Sequence, residues 1–150
     1  MASENKDKGL DELFKLEGYK SDLPGDSGGS TIWGITSRWF PETVEKINAL
    51  IANGQSDMAF AMAKDFYIQN FWVPTGCNAL SYPLDCMAFC QAANMGVVTI
   101  KNLIAVNNTP ETFIQACRDK YKVIEAAHPE DVAFDRGWSN RLDSIVEAFV

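Results

Sequence analysis

Apolar side chains near the start of the chain follow a helical spacing that ends on a carboxylate. Leu10, Leu13 and Phe14 lie on one face of a 3.6-residue period, which predicts a helix from about residue 9 to residue 17. The next position on that apolar face is Glu17. Because periodicity would place another apolar side chain there, Glu17 is the first candidate for chemistry in this sequence.

After this helix the pattern changes twice. Residues 22–30 are rich in Gly, Asp, Ser and Pro and predict turns, whereas residues 31–36 are β-branched and aromatic and predict a short strand that closes a small hairpin. From there the spacing is helical almost to the end. Helices are expected to begin near Pro41, Ser56 or Asp57, Pro83, Thr99 and Thr109, and a last amphipathic helix carries Leu142, Ile145, Val146 and Phe149.

These elements indicate a mainly α fold with one small β-hairpin near the N-terminus. A chain of 150 residues is long enough for a sizeable core, since proteins of this length bury roughly 70% of the surface that the unfolded chain exposes. Composition is that of an ordinary globular protein, without repeats or low-complexity segments. We therefore predict a flexible tail over residues 1–8 and a single domain over residues 9–150.

Charge and hydropathy restrict the partners. Twenty acidic residues against thirteen basic ones give a net charge of -7, which disfavours binding to nucleic acid or to an anionic lipid surface. The first residues lack the apolar segment of a signal peptide, and no later run has the length of a membrane span. We expect synthesis in the cytoplasm, no nucleic-acid partner and no membrane insertion. No pattern indicates the oligomeric state.

The cysteines could form a metal site, but they are better interpreted as core residues. Cys77, Cys86, Cys90 and Cys117 lie among apolar neighbours, which predicts reduced, buried thiols. Cys86 and Cys90 are one helical turn apart and could offer two thiolates to a metal. His128 is the single histidine and the sequence has no C-x-x-C motif, so we predict neither a metal nor a cofactor.

The turn region contains a Gly-Asp-Ser-Gly-Gly string that suggests a serine nucleophile. A chymotrypsin-like triad has its histidine before the serine, but no histidine precedes Ser27. A nucleophile elbow needs a strand before the serine and a helix after it, whereas here a helix precedes Ser27 and a turn follows. His128 lies in a polar loop pattern and is better interpreted as solvated. We therefore interpret Ser27 as a turn residue.

A pair of carboxylates offers different chemistry. Loss of water favours the neutral acid, so a glutamate on an apolar face is expected to have a raised pKa and to donate a proton. Glu17 beside an ionised Asp26 would reproduce the acid and base pair of glycoside hydrolysis, with the Thr31 hydroxyl helping Asp26 to position a water. The alternative is that Glu17 is a helix-end residue paired with a late Arg and that Asp26 is an ordinary turn residue.

The order of these residues resembles a known family of enzymes. Leu16-Glu17-Gly18-Tyr19 is followed by Asp26-Ser27-Gly28-Gly29-Ser30-Thr31-Ile32-Trp33-Gly34-Ile35-Thr36. The Glu, Asp, Thr order is similar to that of phage-type lysozymes. Glycoside hydrolase family 108, the N-acetylmuramidases once described as secretion activators, typically shows Glu-Gly-Gly-Tyr and then Asp-Pro-Gly-Gly-x-Thr-x-x-Gly-Ile-Thr. The chain resembles this family, although it lacks the second Gly of the first motif and has Ser27 in place of Pro.

Later segments extend the resemblance over most of the chain. Tyr67 with Phe71-Trp72 corresponds to a Tyr followed by Tyr-Trp in the family. Ala92-Ala93-Asn94-Met95-Gly96 is similar to its Ala-Val-Asn-Ser-Gly, and Gly137-Trp138-Ser139-Asn140-Arg141 is similar to its Gly-Trp-x-Asn-Arg segment. Residues 97–133 lack the Asp-Gly-x-x-Gly-Pro stretch that many members carry in a peptidoglycan-binding portion.

The resemblance implies a lysozyme-like helical fold and hydrolysis of the β-1,4 bond between N-acetylmuramic acid and N-acetylglucosamine. Glu17 would protonate the leaving oxygen, and Asp26 would act as a base or stabilise charge. Whether the product is inverted depends on the distance between the two carboxylates. The partner would be a peptidoglycan strand, reached as a phage lysin, as a part of a virion, or by unconventional export.

Substrate-binding residues follow from the same resemblance. Trp33, Tyr67 and Trp138 are candidates for platforms under sugar rings, with core packing as the alternative for aromatic residues at helical spacing. Asn94 is a candidate for hydrogen bonding to substrate, and Arg141 for pairing with Glu17, with a solvated helix charge as its alternative. A function from another class also stays open: a non-catalytic wall-binding or virion structural domain, which the acidic charge favours over an enzyme of an anionic polymer.

Overall fold

Helices form most of the molecule, as the spacing predicts. The computed structural model describes residues 2–17, 20–21 and 31–149. The helices are α1 (Ala2–Glu17), α2 (Pro41–Ala52), α3 (Ser56–Tyr67), α4 (Val73–Thr75), α5 (Leu84–Met95), α6 (Val97–Val106), α7 (Pro110–Ala127) and α8 (Asp135–Phe149). A π-helical segment (Ile68–Trp72) and two 3-10 segments (Cys77–Ala79 and Pro129–Phe134) join some of them. The predicted mainly α fold with a small β element near the N-terminus is confirmed.

The chain is divided into two compact units. Residues 13–70 form the first, here called the hairpin unit, and residues 1–12 with 71–150 form the second, here called the helical unit. Helix α1 contributes residues to both. The single domain predicted over residues 9–150 stays a prediction.

The hairpin unit has a three-stranded antiparallel sheet, with strands β1 (Lys20–Ser21), β2 (Thr31–Ile32) and β3 (Ile35–Thr36) in that order. Its two long helices, α2 and α3, pack on each other. Proline at the first position of α2 is tolerated because that position has no intrahelical N–H bond to lose. The apolar faces supply the core of the unit, which consists of Leu13, Ile32, Ile35, Val44, Ile47, Ala59, Ala63, Phe66 and Tyr67.

The stretch predicted as one strand is itself a hairpin. Strands β2 and β3 pair with each other in the register Thr31 with Thr36 and Ile32 with Ile35. Between them, Trp33 and Gly34 form a two-residue turn with φ angles of +50° and +83°. The prediction of a continuous strand over residues 31–36 is therefore wrong, because both central residues adopt a left-handed backbone that a strand cannot accommodate.

Helix α5 is the centre of the helical unit. All nine residues from Leu84 to Ala92 are buried, so this helix has no solvent-facing side over two and a half turns. Helices α6 and α8 pack against it, and α7 packs on α6 and α8. Helix α7 begins at Pro110, directly after the predicted Thr109, which is its N-cap: the Thr109 hydroxyl accepts a hydrogen bond from the Thr112 N–H at 3.2 Å. Helix α6 begins at Val97, two residues before the predicted Thr99.

Helix α1 begins at Ala2, earlier than the sequence predicts, so residues 2–8 of the expected flexible tail are helical. Their contacts within the helical unit explain the difference. The Asn5 side-chain amide donates to Asp85 Oδ2 at 3.0 Å, and the Cys86 thiol donates to the Asn5 carbonyl at 3.1 Å. These partners are about 80 residues away in sequence, so local spacing could not reveal them. In the part of the chain described here, no helix combines the length and apolarity needed to cross a membrane.

Candidate functional site

Glu17 lies at the last position of α1, half-buried, beside the Trp33–Gly34 turn. The contact is close. A side-chain carbon placed on Gly34 would lie 2.9 Å from Glu17 Oε2 and 2.9 Å from Glu17 Cβ. The end of α1 and the turn therefore meet at the carboxyl group, and Gly34 is required there for space as well as for its φ of +83°.

The third group at this point is the hydroxyl of Tyr67, from the C-terminal end of α3. It would lie 2.6 Å from the same carbon on Gly34, and it donates a hydrogen bond of 2.6 Å to the Trp33 carbonyl. Tyr67 is only 3% exposed. As a sugar platform it stays a prediction, and its observed contacts are with the turn and the aromatic core.

Trp33 belongs to an aromatic cluster and is also partly exposed. Its ring lies 5.2 Å from that of Phe60 and 6.4 Å from that of Phe14, measured between centroids. Phe14 also contacts the Tyr67 ring edge-on, at 5.7 Å. The two sequence-based alternatives for Trp33, sugar platform and core residue, are thus compatible, because one ring can pack on the cluster and still present surface to solvent.

Thr31 lies in β2, directly before the turn. Successive side chains of a strand point to opposite faces, and Ile32 is fully buried, so Thr31 faces away from the core of the hairpin unit. The proposed second carboxylate, Asp26, lies outside the described residues, as do Ser27 and Tyr19.

The other predicted binding residues come together in the helical unit. Asn94, an exposed residue of α5, accepts a hydrogen bond from the Tyr121 hydroxyl, and the Tyr121 ring stacks on Trp138 with 4.7 Å between centroids. Arg141 donates from Nε to Gln91 Oε1 at 3.1 Å and from its guanidinium to the Cys90 carbonyl.

Gln91 links these residues into one network. It is fully buried, and its amide donates to the Tyr121 hydroxyl at 3.1 Å. The interaction of Arg141 with Glu17 stays a prediction, as do the substrate contacts of Asn94 and Trp138.

The four thiols are buried in the core of the helical unit. All four cysteines are free and buried, as the sequence predicts. Burial raises the pKa of Cys77 and of Cys117 from the ordinary value of 9.0 to about 12, and burial together with the charge of Asp85 raises the pKa of Cys86 further. A thiol that keeps its proton at neutral pH is a weak nucleophile and a weak metal ligand. Among the residues of known placement, no group of three or more His, Cys, Asp or Glu could hold a metal ion.

Gly34 and Tyr121 are the residues that sequence reasoning passed over. Trp33-Gly34 between two short β-branched segments is the signal of a two-residue hairpin turn, which would have placed Gly34 at a left-handed position. Tyr121 offers no such signal, because its partners are 27 and 30 residues away.

Comparison with known proteins identifies a family for this chain. The model of the family described as glycosyl hydrolase 108 matches residues 10–96. No curated protein and no solved structure gives a match. The matched range includes the end of α1, the turn and Tyr67, and it ends before Trp138 and Arg141. Since it covers more than half of the 150 residues, the chain belongs to the glycosyl hydrolase 108 family and is a glycoside hydrolase.

Proposed function

We propose that this glycoside hydrolase is an N-acetylmuramidase of the endolysin type, which cleaves the β-1,4 bond between N-acetylmuramic acid and N-acetylglucosamine in the bacterial cell wall. The observation that supports it best is the position of Glu17. Glu17 is half-buried, and its carboxyl group lies against the Trp33–Gly34 turn, inside the range that matches a glycoside hydrolase family. Family membership indicates a glycan as the substrate, and peptidoglycan is the glycan that the motif resemblance implies.

In this mechanism Glu17 is the general acid. Its proton passes to the glycosidic oxygen while the bond from that oxygen to the anomeric carbon breaks, so the leaving sugar departs as a neutral alcohol. Asp26 acts either as the base that takes a proton from the attacking water or as the carboxylate that stabilises the positive charge at the anomeric carbon. Thr31, facing away from the core one residue before Ile32, helps to position the water.

Each unit contains candidate binding residues. In the hairpin unit, the exposed part of Trp33 supports a sugar ring, and Tyr67 lies beside it. In the helical unit, Asn94 is exposed and Trp138 is half-buried, so both can reach a glycan strand. No metal or cofactor takes part in the proposed reaction.

Glu17→Gln tests the proposal, with Glu45→Gln as its control. The first substitution removes the acidic proton with little change in shape, and the second changes an exposed glutamate of α2 in the same unit. We expect Glu17→Gln to fold and to clear purified peptidoglycan at least about a hundredfold more slowly than wild type, the usual contribution of a general acid. Clearance by Glu17→Gln at the wild-type rate would contradict the assignment.

Ser27→Ala addresses the serine interpretation. We expect clearance close to that of wild type, because a turn residue has no part in the proton transfers. A strong loss would restore the serine-hydrolase hypothesis.

A non-catalytic wall-binding or virion structural domain is the second candidate. The net charge of -7 favours it, because an enzyme that acts on an anionic polymer usually gains from a basic cleft. A peptidoglycan pull-down separates the two candidates: binding without release of reducing ends would select the non-catalytic domain, and release of reducing ends would select the enzyme.

A further inference from the structure

We propose that Tyr67 is a positioning residue: its hydroxyl holds the Trp33–Gly34 turn, and this turn fixes the carboxyl group of Glu17. This role rests on the proposed function. Tyr67 would thus act on the proton donor through the backbone and would not itself contact the reacting atoms. All the groups involved belong to the hairpin unit.

The turn needs to be held because its backbone is unfavourable. Trp33 has a φ of +50°, a left-handed conformation that is rare for a bulky residue, and two-residue turns of this kind usually have Asn or Asp at the first central position. Such a conformation persists only when its surroundings impose it. The surroundings of Trp33 are therefore expected to supply specific contacts.

Tyr67 supplies one of these contacts and is itself rigidly held. Its hydroxyl donates to the Trp33 carbonyl at 2.6 Å. Its ring makes edge-on contacts with Phe14 at 5.7 Å and with Phe66 at 5.3 Å, and the side chain is 3% exposed. A phenol packed on two sides has little freedom, so its hydrogen bond fixes the carbonyl in one orientation.

The same cluster also holds the end of the helix that carries the acid. Phe14 lies three residues before Glu17 in α1, and its ring contacts those of Trp33 and Tyr67. The last turn of α1 and the hairpin turn are thus packed on a common set of rings. Gly34 completes the arrangement. A side-chain carbon placed on Gly34 would lie within 2.9 Å of both the Tyr67 hydroxyl and a Glu17 carboxyl oxygen.

Tyr67→Phe tests the role with the least disturbance. It keeps the ring and its packing and removes the hydroxyl that donates to the Trp33 carbonyl. We expect kcat for peptidoglycan to fall at least tenfold with KM within twofold of wild type, because the acid is misplaced while binding persists. Tyr82→Phe, at a partly exposed tyrosine of the helical unit, is the control and should keep wild-type values.

Two results would overturn the proposal. An unchanged kcat in Tyr67→Phe would show that the hydroxyl positions nothing that matters to the reaction. A raised KM with an unchanged kcat would assign Tyr67 to direct contact with the sugar.

Gly34→Ala and Gly54→Ala form a second, matched pair. Both glycines have positive φ, +83° and +75°, so alanine strains the backbone similarly at each. At Gly54 there is nothing within 4 Å, whereas at Gly34 the new methyl group would collide with Glu17 and Tyr67. We expect Gly54→Ala to stay active and Gly34→Ala to lose at least a hundredfold in kcat; equal activities would contradict the role of the turn. If Gly34→Ala does not fold, Tyr67→Phe decides.

A measurement without substrate separates this inference from the proposed function. Proton NMR of the wild type should show a cross-relaxation signal between the Gly34 α-protons and the Glu17 β-protons, weakened by more than half in Tyr67→Phe and unchanged in Tyr82→Phe. An equal signal in all three proteins would overturn the positioning role even in an active enzyme. A wild type that releases no reducing ends but shows the expected NMR pattern would contradict the proposed function alone.

Discussion

Two polar residues on apolar helix faces, one in each unit, have opposite environments. Glu17 in the hairpin unit is half-buried and lies against a turn with a left-handed backbone. Gln91 in the helical unit is fully buried on the central helix, and its amide is hydrogen-bonded at both ends, to Arg141 and to Tyr121. At sequence level both interrupt an apolar stripe in the same way.

The difference shows what separates a candidate site from a polar part of the scaffold. A buried amide with partners at both ends has satisfied its hydrogen bonds, so its expected contribution is to stability. A carboxyl group beside a strained turn and near solvent can exchange a proton with a ligand. We therefore expect a change at Gln91 to affect mainly the free energy of unfolding and changes around Glu17 to affect mainly turnover.

Alkaline pH should produce the largest effect on stability, and it should begin in the helical unit, which contains all four cysteines. In the unfolded chain a thiol loses its proton near pH 9, whereas burial raises the pKa of Cys77 and Cys117 to about 12. The unfolded state thus binds fewer protons between these values. The free energy of unfolding is expected to fall as pH rises from about 9 to about 12, by up to about 1.4 kcal/mol per pH unit for each thiol.

Fluorine NMR of fluorotryptophan-labelled protein can follow the two units separately. Trp72 and Trp138 lie in the helical unit, and Trp33 lies in the hairpin unit. We expect the signals of Trp72 and Trp138 to move to their unfolded positions at a lower pH than that of Trp33. Earlier loss of the Trp33 signal would contradict the assignment of alkaline instability to the buried thiols.

Gln91→Leu should have the next largest effect. It removes the acceptor for Arg141 Nε and the donor to the Tyr121 hydroxyl from a fully buried position, which is expected to cost about 3 kcal/mol in urea unfolding. Gln115→Leu is the control, since Gln115 is exposed on α7 and is expected to change stability by less than about 0.5 kcal/mol. Loss of turnover in Gln91→Leu without loss of stability would place this network in the functional site instead.

The smallest effect is expected at the surface of the helical unit. Arg118 and Asp143 form an ion pair of 2.8 Å between α7 and α8, with the Asp143 side chain 64% exposed. Solvent and salt screen such pairs, so Asp143→Asn is expected to cost less than about 1 kcal/mol in urea unfolding. A cost above 2 kcal/mol at physiological salt would show that this pair is part of the scaffold.

The sequence is sufficient to predict where a helix begins when the residues at that end stabilise it locally. Pro41 at the start of α2 and Thr109 at the start of α7 are recognisable because proline and a capping hydroxyl act within one turn of the chain. The start of α1 and the hairpin turn were not predicted. The first depends on Asp85 and Cys86, and the second places Trp33 in a left-handed backbone that its residue type disfavours.

In the candidate site, too, the residues could be predicted from the sequence but their contacts could not. Glu17 was found from the apolar period it interrupts, and Thr31 and Trp33 from their order along the chain. The contact of Glu17 with Gly34 and Tyr67 could not be predicted, because it depends on the packing of three separate elements at one point. The partners of Asn94 and Arg141, likewise, could not be predicted, because they lie 27 and 50 residues away in sequence, on other helices.

The identity of the sugar at the new chain end tests the central claim most directly. Purified peptidoglycan is digested with wild type or with Glu17→Gln, the ends are reduced with borohydride, and the reduced sugars are identified by mass spectrometry. We predict that wild type yields reduced N-acetylmuramic acid and that Glu17→Gln yields at least about a hundredfold less. Reduced N-acetylglucosamine from wild type, or equal yields from the two proteins, would contradict the account.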